Sequence, residues 1–135
     1  MFLLDTNIVS ELRRPRPHPG VARWFRSTPR SSLRISVITD LELERWVLLS
    51  RRRDPVAATS LKRWLDSVRR EMPGPAIDIG ADIALLAAAF QVPDRRRLSD
   101  ALIAATALHH GLTLVTRNVR DFDIPGLTVL NPFED

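Results

Sequence analysis

The chain contains no cysteine, which removes disulfides, thiolate nucleophiles and Cys-ligated zinc or iron–sulfur centres in one step. Histidine is scarce, at three residues. His109 and His110 are adjacent on a predicted helix and face different directions, while His18 lies in a Pro-rich loop, so no i, i+4 pair is available for a catalytic zinc. Lysine is reduced to Lys62. No apolar run approaches the length needed to span a bilayer, and the four-residue apolar start before Asp5 is far short of a signal-peptide core. A cytoplasmic protein with no membrane contact is expected. Aromatic residues make up 6% of the chain, which leaves Ala, Leu, Ile and Val to build the core.

What is present fits one compact domain over residues 1–135, with 44% hydrophobic residues and roughly two-thirds of the unfolded surface buried on folding. The formal charge of +4 is carried almost wholly by arginine. Guanidinium groups make bidentate contacts with phosphate or carboxylate, which suits RNA or an acidic protein surface. A solvated arginine-rich surface produced by coding bias explains the same charge equally well.

Strand and helix signals alternate. MFLL reads as a strand, followed by a short helix from Thr6, as its cap, to about Leu12, which the prolines of RRPRPHPG break. VARWFRS reads as a short amphipathic helix with Val21, Trp24 and Phe25 on one face. LRISVI is the second strand, and Thr39 caps a helix from about Asp40 to Ser50 whose stripe is Leu41, Val47 and Leu48. Pro55 opens the next helix, with Val56, Leu61, Leu65 and Val68 in register, and the two helices form a hairpin. PAI is a short strand candidate, Ile79 to Phe90 an Ala- and Leu-rich helix, and Asp100 to His110 a helix apolar enough to be buried, ended by Gly111. LTLV and LTVL complete the strands. The fold class is therefore α/β: a three-layer domain with a central, mostly parallel sheet flanked by helices, whose ligands bind beyond the carboxyl ends of the strands.

Carboxylates gather at that edge: Asp5 after MFLL, Glu42 past RISVIT, Asp100 at the start of SDALIAATAL and Asp121 beyond LTLVTRN. Such a concentration of negative charge calls for a divalent cation, magnesium or manganese, and points to phosphodiester chemistry. Each has a plainer role beside it. Asp5 can cap the helix at Thr6 and Asn7. Thr39-Asp40-Leu41-Glu42 has the form of a capping box. Ser99 or Asp100 can cap the last long helix, where the helix dipole favours the Asp100 charge. Glu44 lies about 200° around the helix from Glu42, so Asp40 and Glu44 are assigned to solvent or arginine. After LTLV, Asn118 and Asp121 compete for the fourth position, with Thr116 and Arg117 as support. Thr106 either bonds back to its own helix or lines the cleft floor.

The stretches LLDTNIVSELRRPRP, SVITDLELE, SDALIAATALHHGLTLVTRNVRDF and LNPF, in this order, resemble the PIN-domain ribonucleases, and within them VapC-like toxins of type II toxin–antitoxin systems, including the FitB-like branch. The resemblance implies a PIN-like fold, Mg2+- or Mn2+-dependent cleavage of single-stranded or looped RNA, and an acidic centre of Asp5, Glu42 and Asp100 with a fourth position near Asn118 or Asp121. Thr6, Asn7, Thr116 and Arg117 would support metal or substrate, and Arg13, Arg14 and Arg117 are candidates for RNA positioning. It also implies a VapB-like antitoxin crossing the groove of the Thr39 to Arg70 hairpin, with Trp24, Trp46 and Trp64 as candidate contacts. A homodimer within a toxin–antitoxin hetero-oligomer is implied as well, with operator DNA reached only through the antitoxin. Three departures stand out: Asn118 where some relatives carry aspartate, Asp40 where a small or apolar residue is common, and Trp46 where glycine is frequent.

Two other functions compete. A catalytically weak nucleic-acid-binding or regulatory protein of the same fold is motivated by Asn118 and the basic charge. A small phosphatase with Asp5 as covalent nucleophile is disfavoured, because the acidic residue expected two positions later is Asn7 and the C-terminal half holds no lysine.

Overall fold

Leu3 and Leu4 are consecutive residues of a strand and so point to opposite faces; both are buried, which requires a sheet covered on both sides. The computed structural model, which describes residues 1–134, has this layering. Strands β1 (Phe2–Leu4), β2 (Leu33–Arg34), β3 (Thr113–Val115) and β4 (Val129–Leu130) form a parallel sheet in the order β2-β1-β3-β4. Helices α1 (Thr6–Arg13), α2 (Pro19–Ser27), α3 (Val37–Arg53) and α4 (Pro55–Glu71) precede α5 (Ala81–Ala89) and α6 (Leu98–His110).

One face of the sheet, with Leu4, Leu33 and Val115, packs on Ile8 and Val9 of α1, Val21 of α2, Leu43 and Val47 of α3, and Leu61 and Leu65 of α4. The other face, with Leu3 and Leu114, packs on Ile103, Ala104 and Ala107 of α6, together with Phe122 and Ile124. A third layer of contact joins Ile83 and Ala87 of α5 to Ala101 and Ala105 of α6. The alanines let these helices approach closely, which is how a chain with few aromatics closes its core.

β1 connects outward to β2 on one side, and β3 connects to β4 on the other. The crevice between the carboxyl ends of β1 and β3 is therefore the point where ligands bind in open parallel sheets. Asp5 follows β1 there and Thr116 follows β3, tied by an Asp5 N–H bond to the Val115 carbonyl at 2.9 Å.

Helix starts depart from expectation in two places, and at α1 one of two alternatives holds. Of the cap candidates Thr6 and Asp5, Asp5 is the N-cap of α1, its Oδ1 accepting the Thr6 N–H at 2.7 Å. α3 begins three residues before the expected Asp40, because the buried Ser36 hydroxyl accepts the Thr39 N–H at 3.2 Å. Thr39 is thus inside the helix, and the capping-box reading of Thr39 and Glu42 is corrected. α6 begins at Leu98 with Arg97 in the N-cap position and no side-chain cap, which places Asp100 in the first turn.

The faces shift too. α3 buries Thr39, Leu43 and Val47, spaced four apart, while Leu41 and Leu48 are exposed. α4 buries Ala58, Leu61 and Leu65, and Val56 at its first turn is in solvent. PAI contributes a single bridge, Ile77 beside Ser36, rather than a strand. Gly111 ends α6 in the left-handed conformation at φ 65°, where a side chain would be strained. Among the described residues no helix is long and apolar enough to cross a membrane.

Candidate active site

Asp5, Glu42, Asp100 and Asn118 line one open cleft with Thr6, Asn7, Ser10, Glu11, Arg14, Trp46 and Arg97. The cleft lies over the carboxyl ends of β1 and β3, and its volume is about 520 Å3. Four elements deliver the acidic residues and their amide neighbour. Asp5 comes from the β1–α1 junction, Glu42 from the second turn of α3, Asp100 from the first turn of α6, and Asn118 from the segment after β3.

Asp5 is held most tightly. It is 6% exposed, and its Oδ2 accepts the Thr116 hydroxyl at 2.8 Å and the Asn7 side-chain amide at 3.3 Å. Thr116 is fully buried, and its hydroxyl oxygen in turn accepts the Asn118 N–H at 3.1 Å. Asn7 spans the same junction, its Oδ1 accepting the Arg117 N–H at 3.3 Å. With one bond on Oδ1 and two on Oδ2, Asp5 has one lone-pair site of about four left, on Oδ1.

Glu42 is fixed from the side of α1: the Thr6 hydroxyl donates to its Oε1 at 2.7 Å and stands 3.1 Å from the Thr39 hydroxyl. Because Glu42 does not close the helix start, its carboxylate is available to the cleft.

Burial raises the Asp5 pKa above the ordinary carboxylate value, against the lowering effect of the Thr116 and Thr6 hydrogen bonds, and the charges of Asp100 and Glu42 raise it further. Asp100 is also raised, first by burial, with Arg97 opposing and Asp121 and Glu42 adding to the rise. None of the described salt bridges reaches Asp5, Glu42 or Asp100. The charges of these carboxylates push one another's pKa values up, Arg97 offsets part of this at Asp100, and no ion pair among the described residues neutralises them.

The donor set is entirely oxygen, which suits a hard divalent ion rather than zinc or copper. The side chains do not already form a closed cage: among the described residues no group of three His, Asp or Glu stands in position to enclose a metal. A cation here would draw on carboxylates that share a cleft but are each tethered to their own element.

Other expected residues lie elsewhere. Asp121 sits on the 3-10 turn Val119–Phe122, exposed and outside the cleft lining, but near enough to Asp100 to act on its charge. The Arg117 guanidinium lies 4.8 Å over the Phe133 ring instead of in the cleft. Arg13 donates to Ser60 at 2.9 Å and faces Trp64. Asp40 and Glu44 pair with Arg69 at 2.8 and 3.1 Å, as expected for the far side of α3. Thr106 bonds back to the Leu102 carbonyl at 2.7 Å.

Sequence reasoning missed Ser10, Glu11 and Arg97 as cleft residues. Glu11 is buried and accepts the His18 N–H at 2.9 Å, which closes the proline loop against α1. Glu11 stands near the end of the same short helix that Asp5 caps, but six residues on, a spacing that carries no same-face signal.

A family model described as the PIN domain matches residues 2–125. The chain is 30% identical over 139 residues to the VapC ribonuclease Y4jK of Sinorhizobium fredii, with 99% of each chain covered. Its structure superimposes on that of FitAcB from Neisseria gonorrhoeae with a TM-score of 0.89, at 30% identity and with all of both chains covered. A toxin–antitoxin complex from Klebsiella pneumoniae matches with a TM-score of 0.74, at 29% identity over 98% of each chain.

Proposed function

We propose, for a chain that belongs to the PIN-domain family, that the carboxylate cleft hydrolyses RNA phosphodiester bonds as the toxin of a toxin–antitoxin pair. The observation that carries this reading is Asp5: a buried carboxylate, pressed by the charges of Asp100 and Glu42 and unpaired with any described cationic side chain. Residues 1–135 act as a single nuclease domain in this scheme.

Asp5 and Asp100 would hold magnesium or manganese directly, with Glu42 and Asn118 beside them. The bound cation supplies polarisation of the scissile phosphate and a lowered pKa for attacking water. Thr116 and Asn7 hold Asp5 Oδ2, which leaves Oδ1 the open site for a cation. Glu42 Oε1 takes the Thr6 hydroxyl, which leaves Oε2 to align the attacking water and accept its proton. Arg14 and Arg97, both in the cleft lining, attract flanking phosphates, and neither can act as a base. In-line attack leaves 5′-phosphate and 3′-hydroxyl ends. Asp121 stays at the outer edge, near Asp100, and Arg117 supports the strand end through its backbone.

The likeness to a VapC ribonuclease and to a toxin–antitoxin complex supports a VapB-like antitoxin as the restraining partner, with operator DNA engaged through it. An apolar cavity of about 330 Å3, lined by Leu12 of α1, Phe25 of α2 and Trp64, Val68 and Met72 at α4, offers a seat for such a segment. Exposed Leu85, Val92 and Leu98 at the α5–α6 side supply surface for a homodimer.

The test incubates the purified, antitoxin-free protein with defined RNA pools and magnesium or manganese. New 5′-phosphate ends should form, and Asp5→Asn should lower their rate at least about 100-fold, since even outer-shell changes cost 10–100-fold at metal sites. The second reading, a nucleic-acid-binding protein with weak catalysis, is favoured by Asn118 standing where a carboxylate would add charge. RNA binding without cleavage by the unmodified protein would select it.

A further inference from the structure

Trp46 lies on α3 four residues, and so one helical turn, beyond Glu42, which puts both side chains on the same face about 6 Å apart along the axis. It lines the carboxylate cleft and is 38% exposed. The other two tryptophans are accounted for by packing. Trp24 meets Phe2 edge-on at 5.3 Å, and Trp64 packs partly buried against the core of α1 and α4. Trp64 also meets Trp46 at 6.0 Å with an interplanar angle of 72°. That edge-to-face contact fixes the Trp46 ring from the side and leaves indole surface at the cleft.

We infer that Trp46 is a base-stacking platform for the nucleotide next to the scissile phosphate, and so demands an unstacked base at that one position. This deepens the nuclease assignment and rests on it. Every base presents a π-face, so an indole beside the carboxylates would grip a flexible strand without reading its hydrogen-bonding edge, whereas a base inside a duplex would not be free to reach it. Arg14 and Arg97 share the cleft with Trp46. Cations for the backbone next to an aromatic surface are the combination that single-strand binding sites use. Trp46 touches the substrate away from the reacting atoms and is a positioning residue.

The test measures steady-state cleavage of a single-stranded oligoribonucleotide by the unmodified protein, Trp46→Ala and Trp46→Phe, alongside oligonucleotides carrying one abasic site beside the cleaved bond. Stacking is worth roughly a 5- to 150-fold change in affinity. Trp46→Ala should raise KM within that range with a far smaller effect on kcat, and Trp46→Phe should recover most of the loss. The abasic substrate should impose a similar KM penalty on the unmodified protein and little further penalty on Trp46→Ala. The abasic comparison on unmodified protein decides the matter even if Trp46→Ala folds poorly. Cleavage with KM indifferent to both the missing base and Trp46 overturns the inference alone. So does a Trp46→Ala variant that cleaves normally but loses its grip on the antitoxin. Failure of the unmodified protein to cleave any RNA overturns the nuclease assignment and this inference with it.

Discussion

Asp5 pays for its position in stability. Its carboxyl titrates above the ordinary value of 3.8 in the folded chain, so between that value and the raised one the native state holds more protons than the unfolded state. Stability of the metal-free protein therefore falls as pH rises through that window, the reverse of a salt-bridged carboxylate. Urea midpoints taken in chelator across about pH 4 to 8 should decline, and Asp5→Asn should flatten the decline and exceed the unmodified protein at the alkaline end. Identical slopes would contradict a carboxyl whose pKa is raised by burial, with the Asp100 and Glu42 charges adding to it. Thr116 acts through Asp5, since its hydroxyl donates at 2.8 Å in a fully buried setting. Thr116→Val keeps the shape and removes the donor. Manganese affinity, followed by calorimetry, should weaken about 10–100-fold, whereas an unchanged affinity would show that Asp5 needs no such bracing.

Helix starts decide which carboxylates are free. Ser36 caps α3 through its bond to the Thr39 N–H, and Ser36→Ala should cost about 1 kcal/mol, read as a lower urea midpoint at unchanged m-value. An unaltered midpoint would remove Ser36 from that role. This element also marks the limit of what the sequence discloses. Thr39-Asp40-Leu41-Glu42 imitates a capping box, while the true cap hides inside the apolar run RISVI and is exposed only by the bridge between Ser36 and Ile77. Asp5 was legible because it ends an apolar run just before a helix, and Asp100 because it stands in the first turn of a largely apolar helix. Asn118 and Asp121 were not separable, since the irregular segment after β3 has no periodicity from which side-chain direction follows. Its 3-10 turn carries Asp121 out of the cleft lining and leaves Asn118 in it. The buried stripes of α3 and α4 were mistaken at Leu41, Leu48 and Val56 because exposed apolar residues on these helices blur the helical period.

At the scale of the whole molecule, alternating strands and helices were enough to place the sheet, its parallel sense and the edge that carries the site. The order β2-β1-β3-β4 adds what no local pattern contains: it brings the ends of β1 and β3 together across more than a hundred residues of chain, so that Asp5 and Thr116 meet. The formal charge of +4 coexists with this acidic cleft because few of the arginines line it. Arg69 pairs with Asp40 and Glu44, Arg13 with Ser60, and Arg117 with Phe133, whereas Arg14, paired with Glu11 at 3.5 Å, and Arg97 line the cleft. The central claim is that residues from separate elements form one cation site. Thermal unfolding of the chelator-treated protein, with manganese added to about 100 times its dissociation constant, tests it most directly. The melting temperature of the unmodified chain should rise by about 5–10 °C, and Asp5→Asn and Asp100→Asn should each lose most of that rise at the same concentration. An equal rise in all three proteins would contradict the account.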